Sequence, residues 1–271
     1  MPHAQINGFS MYYERHGDAG EPIVLVHGYT GDVGDWPDQI AEFSKTHRVL
    51  AMDHRGHGSS EGPADRASYT ITQMADDVEA LVEHAGFGRY HLVGHSMGGA
   101  VAQEIALRSA QRLITLTLFG TGADFRLNRS TTVTKWMEAR NSLAEERGME
   151  AVVASSPPFP DPPHMPPGRH EYERARMLRM PVAGLGGGWH ALTTWPGAAD
   201  RVRQITTPAL IMSGELDRAV KGATYLAGQI AGATLLIIPE AGHNPQWERP
   251  EIFNAALREH ISRQAAASAS G

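Results

Sequence analysis

The chain contains no cysteine. Disulfides, zinc–thiolate sites and a cysteine nucleophile are therefore excluded. It also lacks any apolar run of membrane-spanning length. Met1 to Gly17 holds no basic segment leading into an apolar stretch, so no signal peptide is expected. Nor is there an excess of positive charge: 24 Lys and Arg stand against 30 Asp and Glu, a formal net charge of −6. That balance argues against nucleic acid or a membrane surface as the main partner. No internal repeat is found. What is present is an ordinary globular composition, 41% hydrophobic and 20% charged over 271 residues. This suffices for one large α/β domain, or one domain carrying an insertion. A cytoplasmic protein is the expectation.

The pattern along the chain is strand–helix alternation. Residues 5–13 read as two short strands around an Asn7-Gly8 turn. Continuous apolar runs follow at 23–26, 48–52, 92–93, 113–119, 209–212 and 234–238. Runs without polar alternation suggest strands buried on both faces, as in a parallel sheet. Between them, Ile71, Met74, Ala75, Val78, Leu81, Val82 and Ala85 share one helical face. Thr70 and Gln73 form a capping box before that helix, and Gly86 suits its stop. Alternation of this kind predicts βαβ units with right-handed crossovers and a ligand site at the carboxyl ends of the strands. His27, Asp53, Ser96, Asp217 and His243 all follow such strand ends.

The alternation breaks between residues 124 and 199. Residues 131–148 read as a polar helix, and 157–167 hold seven prolines in eleven positions, which excludes a regular helix or central strand. Residues 169–180 are helical again. Residues 184–188 hold four glycines in five positions, readable as a mobile lid segment or a plain loop. The block is expected to be a mainly helical cap over the strand ends, with a packed second domain as the alternative. The expected division is 1–123 and 200–265 for the core, 124–199 for the cap, and a flexible tail at 266–271.

Gly94-His95-Ser96-Met97-Gly98 reads G-x-S-x-G after a strand and before a helix. This spacing puts a serine on a sharp turn, with the helix N-terminus favouring negative charge beside it. Serine chemistry also needs a base, a group that orients the base, and oxyanion donors. Asp217 and His243 follow Ser96 in the order expected for such an elbow. Glu215 and Asp124 compete for the acid position.

With His27-Gly28-Tyr29, Asp53-His54-Arg55-Gly56-His57-Gly58-Ser59, Gly214-x-x-Asp217 and Gly242-His243 in order, the chain resembles the α/β-hydrolase superfamily, close to its cap-bearing esterase and lactonase-like members. The resemblance implies a mostly parallel eight-stranded sheet flanked by helices. It implies Ser96 as nucleophile, His243 as base and Asp217 as its orienting acid, with backbone N–H groups of Tyr29 and Met97 as the oxyanion hole. The chain departs from the family in having Arg218, not proline, after the acid. The resemblance also implies that Arg55 holds the Asp53–Ser59 loop; a metal reading of its histidines lacks a recognisable ligand spacing, and neither metal nor cofactor is expected. His95 fills the variable elbow position, where it could touch substrate, and His190 is read as a packing or surface residue rather than a second base.

The expected reaction is hydrolysis of a carboxylic ester through an acyl-enzyme. A lactonase or carbon–carbon hydrolase with the same triad is the alternative, then a perhydrolase side activity or a non-catalytic receptor-like hydrolase. Ser96 argues against dehalogenases and epoxide hydrolases of this fold, which use aspartate there. Trp36, Phe125, Trp189, Leu192 and Trp195 are candidate pocket residues, each of which could equally tie the cap to the core. The expected partner is a small-molecule ester or lactone; the oligomeric state is left open.

Overall fold

The computed structural model describes residues 2–125, 131–155 and 162–269, the last six by backbone alone. Strands β1 (His3–Ile6) and β2 (Phe9–His16) pair antiparallel across Asn7-Gly8. Both turn residues take left-handed angles, φ +45° and +87°, which Asn and Gly tolerate and a two-residue hairpin requires. The chain then alternates through β3 (Pro22–Val26), α1 (Pro37–Phe43), β4 (Arg48–Met52), α2 (Ile71–His84), β5 (Tyr90–His95), α3 (Met97–Arg108) and β6 (Leu113–Phe119). Three helices are inserted next: α4 (Thr131–Ser155), α5 (Arg169–Arg179) and α6 (Val182–Thr194). β7 (Ala209–Gly214), α7 (Val220–Gln229), β8 (Thr234–Ile238), α8 (Pro245–Glu248) and α9 (Pro250–Ala269) complete it.

Among the described residues the strands form one eight-stranded sheet in the order β1-β2-β4-β3-β5-β6-β7-β8. β2 runs antiparallel to both its neighbours, and the remaining pairs are parallel. β3, β5, β6 and β7 are buried along their whole length, as their unbroken apolar runs predict. One face packs on α2 and α3 through residues such as Val78, Leu81, Val101 and Ile105. The other packs on α1 and α9 through Phe43, Phe253 and Leu257. Each fully buried side chain of this kind contributes roughly 1.5–3 kcal/mol. β8 departs from the expectation: it is the edge strand, and Leu235 is exposed. A continuous apolar run cannot by itself tell a central strand from an edge strand.

The α2 boundaries follow their signals. The Thr70 side chain accepts from the Gln73 N–H at 3.0 Å, and Gly86 takes φ +71° just past the helix. α9 runs to Ala269, beyond the start of the expected tail; residues 270 and 271 lie outside the described residues. So do residues 157–161 of the proline-rich run, and the rest of that run, 162–167, forms no helix or strand.

The glycine run at 184–188 is neither loop nor hinge; it lies inside α6. The reason is close approach. A Cβ on Gly184 would collide with the Gly56 carbonyl oxygen, one on Gly187 with the Tyr69 ring, and one on Gly188 would lie 2.6 Å from the Tyr29 ring. Helix propensity is sacrificed so that α6 can lie flush on the core loops. Gly148 instead breaks α4 with a non-helical φ of +78°. Gly184→Ala is expected to cost on the order of 1–3 kcal/mol. Gly228→Ala, in α7 with open space around it, should gain up to about 1 kcal/mol. Thermal unfolding of the two variants checks the opposite signs.

Candidate active site

Ser96 stands between β5 and α3 with φ +50° and ψ −111°. A left-handed angle at a non-glycine residue costs on the order of 1–3 kcal/mol and persists only when the surroundings impose it. Here the glycines impose it. A Cβ on Gly94 would lie 2.5 Å from the Gly98 oxygen, and one on Gly98 would meet the backbone of Val26 and His27. The elbow is therefore pressed against the end of β3. The Ser96 N–H is held by the Phe119 carbonyl at 2.9 Å.

His243 and Asp217 arrive from the turns after β8 and β7. His243 Nε2 lies 3.1 Å from Ser96 Oγ, and His243 Nδ1 lies 2.9 Å from Asp217 Oδ2. Neither competing acid takes this place: Glu215 accepts from the Glu240 N–H, and Asp124 lies against Gly197. Burial opposes the charged form of His243, but the Asp217 carboxylate and its hydrogen bond outweigh it and raise its pKa. Burial opposes ionisation of Asp217 in turn. His243 and the Ala219 N–H overcome that and hold its carboxyl below the usual range.

The Gly28–Tyr29 turn lies directly against this elbow, since a Cβ on Gly28 would be 3.1 Å from Ser96 Cβ. Met97 opens α3, so its N–H has no acceptor within the helix. Its side chain is core. The Tyr29 hydroxyl donates to the Leu185 carbonyl on α6 at 2.8 Å.

Several expected residues fall elsewhere. Trp36 is fully buried in the core on the α1/α9 face, edge-on to Phe119 at 5.8 Å. Leu192 and Trp195 join the main core. Trp195 Nε1 donates to Glu104 of α3 at 2.8 Å, and Arg201 pairs with the same carboxylate. Phe125 and Trp189 pack edge to face at 5.7 Å, and Trp189 continues to the Tyr29 ring at 6.5 Å. His190 lines a hollow of about 300 Å³ between α4 and α6.

The loop histidines are structural. Arg55 grips Asp77 through Nε at 2.7 Å and Nη2 at 2.8 Å. His27, His54 and His57 cluster nearby, His27 lying edge-on to His54 at 4.7 Å and tilted to His57 at 5.4 Å. Burial pushes His27 down to about 3 and His57 to about 4, so both are neutral. Among the described residues no group of three His, Asp or Glu is arranged to hold a metal ion.

Sequence reasoning missed the supports. His95 stacks on Phe119 at 4.6 Å and its Nε2 donates to the His243 carbonyl at 2.9 Å. Burial holds its ring neutral, with a pKa of about 3. Glu248 accepts from the N–H groups of Gly242 and Asn244, on either side of His243. Asp32 and Asp35 receive Tyr172, Arg169 and Arg176 from α5. The available signal was Glu248 in the first turn of a helix begun by Asn244-Pro245; the α5 contacts have no local signature.

A model for the "alpha/beta hydrolase fold" family matches residues 21–250, and the chain belongs to that family. It is 30% identical to a putative carbamate hydrolase of Azorhizobium caulinodans, covering 95% of this chain and 97% of the relative. Among solved structures it is similar to an enol-lactonase from Burkholderia xenovorans, at 28% identity and TM-score 0.82, over 96% of this chain and all of that one. A thermophilic esterase from Thermogutta terrifontis is similar at 26% identity and TM-score 0.83, over 97% and 99% of the two chains. These proteins are named for action on small molecules. No helix among the described residues is long and apolar enough to cross a membrane.

The geometry gives a direct titration test. His243 should titrate above the ordinary imidazole value. Asp217→Asn removes the main charge that raises it and should bring the value down, leaving burial opposed only by the Glu248 carboxylate. Imidazole NMR of the two proteins checks the direction.

Proposed function

We propose that the protein is a serine hydrolase that cleaves carboxylic esters through an acyl-enzyme intermediate. The observation that carries this reading is the unbroken hydrogen-bond chain from Asp217 through His243 to Ser96 on a strained elbow. Ser96 Oγ attacks the ester carbonyl while His243 Nε2 takes its proton. The tetrahedral oxyanion forms beside the backbone N–H groups of Met97 and Tyr29, which act without reorganising. His243 returns the proton to the departing alcohol. It then activates a water that attacks the acyl carbonyl and releases Ser96. Asp217 keeps Nδ1 protonated and stabilises the imidazolium.

In this reading residues 1–123 and 200–265 are the hydrolase core and residues 124–199 the cap. Phe125 and Trp189 are the aromatic wall that meets substrate beside Tyr29. A lactone is a cyclic ester and needs the same groups; similarity to the enol-lactonase favours it as the second reading.

Ser96→Ala should lower turnover of a p-nitrophenyl short-chain ester on the order of 10³-fold or more, leaving the fold intact. Unchanged turnover overturns the reading. Comparing kcat/KM for open-chain and cyclic esters of equal carbon count separates esterase from lactonase. The acid limb of kcat/KM should lie above the ordinary imidazole pKa, since the base acts only when neutral and its value is raised.

A further inference from the structure

We propose that Arg169, Tyr172 and Arg176 of α5 are positioning residues that hold the oxyanion turn, joining the inserted helices and the oxyanion site into one rigid unit. The proposal rests on the acyl-enzyme reading above.

The turn that carries the Tyr29 N–H spans residues 28–35; it packs on the core through Tyr29 and Val33, but among the described residues one long-range hydrogen bond ties it to the loop after β4. The Val33 N–H donates to Asp53 Oδ1 at 2.8 Å. The other long-range bonds come from the insertion. Tyr172 donates to Asp32 at 2.6 Å, Arg169 Nη1 to the Gly34 carbonyl at 3.0 Å, and Arg176 Nη1 to Asp35 at 2.6 Å. Arg169 Nη2 donates to the same Asp35 oxygen. A Cβ on Gly34 would overlap the Tyr172 ring and hydroxyl, so α5 lies flush on this turn. Asp35 passes the constraint inward: a Cβ on Gly31 would lie 2.5 Å from Asp35 Oδ2 and 2.9 Å from His27 Nδ1.

Arg169 and Arg176 are 7% and 8% exposed, and Asp32 at 3.7 Å from Arg176 and Glu173 at 3.3 Å from Arg169 share their charge. Arg169 also lies over the Trp247 ring at 4.6 Å, and Trp247 belongs to α8, just after His243. One side chain of the insertion thus touches both the oxyanion turn and the helix behind the base. Buried ion clusters add little net stability but define geometry closely. Oxyanion donors are the groups for which small displacements matter most.

The test compares Arg176→Met, Arg176→Lys and Tyr172→Phe with the parent at a temperature where all are folded. For Arg176→Met, kcat should fall about tenfold or more with KM within about twofold, the signature of weakened stabilisation of the transition state alone. Affinity for a trifluoromethyl ketone, which mimics the oxyanion, should fall by the same factor. Arg176→Lys should recover part of both. Hydrogen exchange at residues 28–35 should quicken in all three variants while β5 and β6 stay protected. Folded variants with parental kcat and exchange overturn the proposal, as does a change in KM alone. If Arg176→Met does not fold, Tyr172→Phe decides, since it removes one hydroxyl. If Ser96→Ala keeps its turnover, the acyl-enzyme reading fails, and the exchange data still decide whether α5 holds the turn.

Discussion

The site depends on one steric constraint: Ser96 held in left-handed backbone between two glycines that cannot carry a side chain. Gly94 and Gly98 let β5 turn into α3 against the ends of β3 and β6. The turn raises Ser96 Oγ above the sheet and aims the start of α3 at the same point. Every other site feature is arranged about that position. The conformation is costly alone and is sustained by packing around a sheet whose central strands are buried throughout.

A second theme is that charge is kept only where it has a partner. The imidazoles at 27, 54, 57 and 95 are buried and driven neutral, and those at 27, 57 and 95 hydrogen-bond backbone groups. His243 alone among the histidines of the site is pulled the other way, by Asp217. Asp35 is buried yet held well below the usual carboxylate range, because Arg176 and Arg169 outweigh the cost of burial. The same logic of mutual support explains α6. Its glycines give up helix propensity to let the insertion press on Gly56, Tyr69 and Tyr29.

Much of the fold was legible because its signals are local. The Asn7-Gly8 hairpin, the Thr70 cap and the unbroken strand runs each encode their structure within a few residues. The meeting of Ser96, Asp217 and His243 was legible because all three follow strand ends on the same edge of the sheet. The failures share one cause. Trp36 was readable as a pocket residue or as a tie between cap and core; its place on the α1/α9 face depends on Phe119, far along the chain. Glycines at 184–188 were readable as a lid segment or a plain loop because sequence shows the missing side chains and not the ring and carbonyl that exclude them.

By itself, then, the sequence determined the strand–helix alternation, the elbow and the chain order of Ser96, Asp217 and His243, since these rest on short-range backbone preferences and chain connectivity. Only the tertiary structure decided which face of the sheet receives each aromatic side chain. It likewise decided which arginines reach Asp35, and that the inserted helices grip the turn after β3. Those outcomes are settled by contacts between residues far apart in the chain, more than a hundred positions for the α5 contacts, whose partners leave no periodicity or motif.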